Sequence, residues 1–241
     1  NIRAAMVVMT NDIHMGGFDK TLSGLFDITD VRPRDTSNAV QVGASGFSSM
    51  EVTYDKDRDG VLDSDETIQY SVFDSPVASP DGKLELARNS GNGRQVLAEN
   101  VIGFGLAFAF DNDFDGQLDT YTATGAPDPT LISPVYWAYD SDGDNILDRH
   151  LDTNLDGVID VTDSTVGVGG NGLIAGLSLP SQVQIVNIRA VKIWLLVETD
   201  KDGTGFSQPA TFVVGKHVIT PGNNKLYRMF HKTVICRNLM L

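Results

Sequence analysis

Over the first fifteen residues the apolar positions Ile2, Met6, Met9 and Ile13, with Ala5 beside them, recur at helical spacing on one face. Gly16 and Gly17 follow, where glycine ends a helix. A helix of this length, about 22 Å, is marginal alone and has to dock on something. After Asp35 the period changes to two. Strands are predicted over 39–47 (AVQVGASGF), 50–54 (MEVTY), 67–73 (TIQYSVF) and 83–89 (KLELARN), with a turn region at 75–83 marked by Pro76, Pro80 and Asp81-Gly82. The run VIGFGLAFAF at 101–110 is apolar throughout and reads as a buried strand. VYWAYD at 135–140 is followed by a polar stretch and a glycine segment at 165–176. QVQIVNIRAVKIWLLVET at 182–199 is the strongest β signal, one bent strand or two, and KLYRMFHKTVICRNL at 225–239 is the last strand. The pattern gives one domain over 1–241, a helix end at 1–16 and a β-rich body at 39–241.

Between these strands lie four aspartate loops. An EF-hand-type loop presents oxygens at positions 1, 3, 5, 7 (a carbonyl), 9 and 12, with a glycine at 6 for the turn and an apolar anchor at 8. DKDRDGVLDSDE at 55–66 meets every position with Asp55, Asp57, Asp59, Gly60, the Val61 carbonyl, Leu62, Asp63 and Glu66. DTNLDGVIDVTD at 152–163 offers Asp152, Asn154, Asp156, Gly157, the Val158 carbonyl, Ile159, Asp160 and Asp163, the last a shorter arm than glutamate. The stretch from Asp140 offers Asp142, Asp144, the Ile146 carbonyl and Asp148, but Leu151 stands where the closing acid belongs, so Asp152 would have to serve as neighbour or bridge. The loop from Asp111 offers Asp113, Asp115, the Gln117 carbonyl and Asp119, with Thr122 at position 12. The flanks read as strands, not helices; two strands can hold the ends of such a loop as well as two helices can. We expect two to four Ca2+ ions in a structural role.

The charge supports a cation. The chain of 241 residues carries a formal net charge of −14, and the windows 55–66, 111–119 and 140–163 hold 6, 4 and 8 of its 32 acidic residues. Such a balance excludes nucleic acid as a partner, because its phosphates would be repelled. The single cysteine, Cys236, allows no internal disulfide, and in an extracellular setting bound Ca2+ would be the alternative staple. No apolar run reaches the ~18 residues of a membrane-spanning helix.

Catalytic signatures are weak. Gly167, Gly169 and Gly172 spell GxGxxG, but an aspartate loop precedes them and Pro180 follows. Ser45 lacks the spacing of a nucleophile elbow. His14, His150, His217 and His231 are scattered, and Cys236 reads as core filling. We expect no enzymatic activity.

RAAMVVMTNDIHMGGFD at 3–19 resembles the signature after the transmembrane half-helix of PilW-type minor pilins of type IV pili: Arg3, Met9, Asp12, Ile13, Gly17 and Phe18 match in place, while His14 and Gly16 depart. Further pieces follow in that family's order. IQYSV at 68–72 is similar to its I-x-Y-x-L strand and LELAR at 84–88 to its L-x-R element. LAENVIGFGLAFAFDNDFDG at 97–116 and NIRAVKIWLLVETD at 187–200 are similar to its two long strands. The end, with Arg228, Phe230, Val234, Arg237 and Asn238, resembles its closing motif. The resemblance implies an α+β, pilin-like fold with an N-terminal spine helix on antiparallel sheet. It implies a structural subunit that primes pilus assembly and sits at or near the tip. Its partners would be other minor pilins, the major pilin and, in some members, a tip adhesin. The full-length form would be anchored in the inner membrane facing the periplasm, then incorporated in the extracellular pilus. The start at Asn1 fits a mature fragment cut within the hydrophobic helix. The aspartate loops are an elaboration that the family does not require. Two alternatives stay open: a J-type pseudopilin of type II secretion, and a calcium-dependent extracellular adhesion or binding module.

Overall fold

The structure is a computed structural model and describes residues 2–31, 47–74, 83–91, 93–122, 124–128, 133–166, 170–202, 210–222 and 225–240. The helix is where the periodicity puts it, α1 over Ile2–Met15, with Ala5, Met6, Met9 and Ile13 buried. Gly16 closes it by donating to the Asp12 carbonyl at 2.8 Å. Five antiparallel strands follow: β1 (Ile28–Asp30), β2 (Met50–Thr53), β3 (Thr67–Asp74), β4 (Leu84–Asn89) and β5 (Arg94–Ala98), in that spatial order. The strand expected at 39–47 lies outside the described residues apart from Phe47, which bridges to Phe104, and the turn at 75–83 does so apart from Lys83.

The second sheet has six antiparallel strands. Its members in chain order are β6 (Val101–Phe110), β7 (Ala138–Tyr139), β8 (Ile146–His150), β10 (Leu177–Gln184), β11 (Ile188–Asp202) and β14 (Lys225–Ile235). Their spatial order is β10-β8-β7-β6-β11-β14. The bent signal at 182–199 resolves into the end of β10, a 3-10 turn at Ile185–Asn187 and β11. Pro180 sits within β10, where it is tolerated because β10 is an edge strand whose register shifts between Ser178 and Val183. A small third sheet joins β9 (Gly172–Leu173), β12 (Phe212–Val214) and β13 (His217–Ile219) in the order β12-β13-β9.

β6 is central because its two faces differ. Phe104, Leu106, Phe108 and Phe110 point into the main core, where the buried side of α1 meets residues of both large sheets. The alternate positions Gly103, Gly105 and Ala107 face the β12–β13 hairpin. A Cβ on Gly105 would stand 2.5 Å from the backbone of Val214 and Gly215. The glycines therefore let one backbone lie directly on another, and Trp194, Leu196, Val214 and Val218 close a second, smaller core there.

Candidate functional site

Two features stand out, one under the helix and one in the loops. Asp12 is the only acid in α1 and lies on its buried side, 8% exposed, so it needs partners. It finds three. The Arg88 guanidinium donates through Nε to Oδ2 at 2.6 Å, the Tyr70 hydroxyl donates to the same oxygen, and the Tyr54 hydroxyl reaches Oδ1 at 3.3 Å. Tyr70 and Arg88 stand directly opposite each other across β3 and β4, so sheet register delivers both to one acid. Burial, and then the charge of Asp12, push the Tyr70 phenol well above its ordinary range, keeping it a donor. At the helix end, Asn238 Nδ2 donates to the carbonyls of His14 and Met15 at 2.9 and 3.4 Å. Asp12, Tyr70, Arg88 and Asn238 come from four separate stretches that resemble the pilin pattern; the first three bond to one another, and Asn238 holds the end of the same helix.

The loops hang from strand ends as their flanks imply. Loop 55–66 joins β2 to β3, and residues 140–145 join β7 to β8; the rest of the loop expected from Asp140 is strand, because Ile146–His150, with Ile146 and Asp148 on it, pairs between β10 and β7. Carboxylate oxygens lie within 4.8 Å of one another in the groups Asp55–Asp57–Glu66, Asp57–Asp59–Asp63, Asp111–Asp113–Asp115 and Asp140–Asp142–Asp144. The fourth loop forms no such group among the described residues; Asn154 stands where the others carry a third acid. Burial, followed by Asp59, Glu66 and Asp63 as like-charged neighbours, pushes the Asp57 carboxyl upward. Burial pushes Asp119, Asp140 and Asp163 the same way. A bound dication would reverse that balance.

The closing positions differ. Glu66 is buried and turned inward, accepting from the amides of Lys56 and Asp63 at 2.6 and 3.0 Å. Asp163 does the same for Thr153 and Asp160, at 2.6 and 2.9 Å. Leu151 is fully buried in the second core, so the stretch 140–151 is closed by packing. Asp152 turns into its own loop, accepting from the amides of Leu155, Asp156 and Gly157, and takes the Tyr121 hydroxyl as well. Asp148 accepts from the Ser141 amide at 2.8 Å. The anchor expected at Leu62 is 40% exposed, because loop 55–66 rests on its neighbours through Gly60 instead, while Ile159 does pack on the second core. The Val61 and Val158 side chains face solvent.

No sequence signal marks the aromatic cluster behind loop 152–163. His150, 2% exposed, lies 5.3 Å from the rings of both Tyr121 and Tyr136. Three aromatic residues spaced across thirty positions carry no periodic signal. A groove of about 660 Å³ opens between residues 17–27 and the loop bearing Phe114, with Arg189 and Asp27 in its lining. Burial pushes the Asp27 carboxyl up to about 6. Ser45 and Gly167 and Gly169 lie outside the described residues. Cys236 is fully buried, and burial pushes its thiol up to about 12. His217 is buried among apolar residues, with burial and Lys216 bringing its imidazole down to about 4.

No protein-family model and no curated protein matches the chain. Among solved structures it is similar to a type IV-like pilin from Thermus thermophilus, at 11% identity over 99% of this chain and 96% of that one, with a TM-score of 0.41.

Proposed function

We propose that this chain is the body of a minor pilin, a non-enzymatic subunit that primes a type IV pilus and sits at or near its tip, with Ca2+ in its aspartate loops. One observation carries the reading: the motif residues Asp12, Tyr70 and Arg88, matched from sequence alone, form one hydrogen-bonded seat under α1, and Asn238 of the closing motif holds the carbonyls at the helix end. Motif matches that were accidental would have no reason to converge. The seat also has the right purpose, since a helix that carries a subunit into a filament has to be fixed to its globular body. The acid-rich loops fit Ca2+ by donor type, being all oxygen and mostly carboxylate. Such a subunit would wait in the inner membrane facing the periplasm and work outside the cell, among other minor pilins and the major pilin.

Deleting the gene in the source cell tests this. Surface filaments should be lost or sharply reduced, and the wild-type gene should restore them. Normal filaments together with a defect in protein secretion would move the chain to the pseudopilins of type II secretion. Normal filaments and normal secretion would remove the assembly role.

A further inference from the structure

The four loops are alike in sequence and unlike in how they treat their first acid. Asp111 accepts from the amides of Asp115 and Gly116 at 3.2 and 3.0 Å. Asp140 accepts from Asp142, Gly143 and Asn145 at 3.1, 2.6 and 2.8 Å. Asp152 accepts from three amides and a phenol, as above. Asp55 accepts nothing. It is 0% exposed, and neither carboxylate oxygen has a hydrogen-bond partner. Of the neighbouring amides, those of Lys56 and Asp57 donate to Glu66, that of Asp59 to Asp57, and that of Val61 to Asp59, and the Gly60 amide, at the position that serves the first acid in each of the other loops, does not reach Asp55. The neighbouring ammonium of Lys56 is turned away to Asp65 at 2.6 Å.

A buried carboxylate with no partner is untenable by itself. What surrounds Asp55 indicates the partner. Its oxygens lie within 4.8 Å of oxygens of Asp57 and Glu66. Six to eight oxygens at roughly 2.3–2.6 Å from a hard dication are spaced in this range.

The same loop is the one fastened to the exit of α1. The Gly17 amide donates to the Thr53 carbonyl at 2.9 Å, and the Asp55 amide donates to the Phe18 carbonyl at 2.8 Å. Gly60 lies so close to Thr21 that a Cβ there would stand 2.2 Å from its hydroxyl. Residues 19–24 are closed on Asp19, which accepts from the Thr21 and Gly24 amides at 3.0 and 2.9 Å. On the other side, Gly91 of the β4–β5 turn lies against the Ser64 carbonyl. The loop is therefore wedged between the helix exit and the sheet.

We infer that loop 55–66 holds a dication of the Ca2+ class as a required part of the fold, and that this ion fixes the exit of α1 to the β body. The other three loops close on their own amides and keep their shape without an ion. The inference deepens the calcium reading above and is independent of the pilin reading. Without the ion, Asp55 must reach water. That movement pulls on the Phe18 carbonyl and frees 17–24, while Asp12 and Arg88 still hold the last turn of α1.

Hydrogen exchange on the 241-residue chain, in excess CaCl2 against EGTA, is the test. Amides at 17–24 and 53–61 should exchange at least about tenfold faster in EGTA, with little change at 111–122 and 140–163. Asp55→Asn should abolish the calcium effect, and Asp156→Asn in the fourth loop should leave it intact. If Asp55→Asn does not fold, Glu66→Gln serves as the second variant, and the wild-type comparison stands alone in any case. Calorimetric Ca2+ binding without a change at 17–24 would overturn the joint and keep the calcium reading. Absence of binding heat would overturn both. Neither readout involves filament assembly.

Discussion

Arg88 and Asp12 are 76 positions apart and share an ion pair with both side chains mostly buried. Removing one partner of such a pair strands the other. Arg88→Met should lower the unfolding free energy in urea by about 3 kcal/mol. Tyr54→Phe, which deletes only the longer bond, should cost under about 1 kcal/mol. Equal effects would mean that Asp12 is held by packing and not by its charge partner. The residues of this seat were visible one at a time in the sequence, as pieces of a motif. Their union was not, because it depends on the register that sets Tyr70 opposite Arg88, and nothing local in IQYSV or LELAR fixes that pairing. His217 offers a pH test. Its folded value of about 4 lies below the 6.5 of an unperturbed imidazole. The folded state therefore binds fewer protons between the two, so stability is full above 6.5 and is lost as pH falls toward 4. Chemical denaturation across that window should show a shallower pH dependence in His217→Leu than in the wild type. Parallel curves would mean that the imidazole accepts a proton in place.

Among the elements, α1, β2, β3, β4 and β6 follow the hydrophobic pattern closely, since each is buried on faces that its own sequence marks; β14 also lies where its β-forming residues put it, although Val234 alone among its residues is buried. β1, β5, β8, β9, β12 and β13 were not legible. β5 is largely exposed, β8 lies in an aspartate-rich stretch that reads as loop, and the others are two or three residues long and owe their existence to what they pack on. The signal for β12–β13 was present elsewhere, in the alternation of small and large residues along VIGFGLAFAF. Small residues on one face of a buried strand mean that another backbone lies there. Gly105→Ala tests that contact. The added methyl would meet Val214 and Gly215 backbone at 2.5 Å, and overpacking of this kind costs about 1–3 kcal/mol. The melting temperature should fall, and exchange should rise first in 212–219. An unchanged melting temperature would show that the hairpin can lift away freely.

For the molecule as a whole, the proposed Ca2+ sites, with the net charge of −14 and the clustering of acids, predict that stability depends on divalent cations. At free Ca2+ of roughly 100 Kd, each site that forms only in the folded chain adds ~2.7 kcal/mol. The melting temperature should therefore drop by about 5–10 °C per site on chelation. No shift would reduce the loops to acidic turns. The turns at 55–66 and 111–119 were readable from sequence because the spacing of aspartate and glycine is local. Their inequality was not, because whether a first acid is served by amides or left bare depends on the fold around it. The assembly role is tested most directly by shearing surface filaments from the source cell, purifying them and identifying their subunits by mass spectrometry. Peptides of this chain should be present at far lower abundance than those of the major subunit, and absent from filaments of cells lacking the gene. Purified filaments without any peptide of this chain, from cells that express it, would contradict the account.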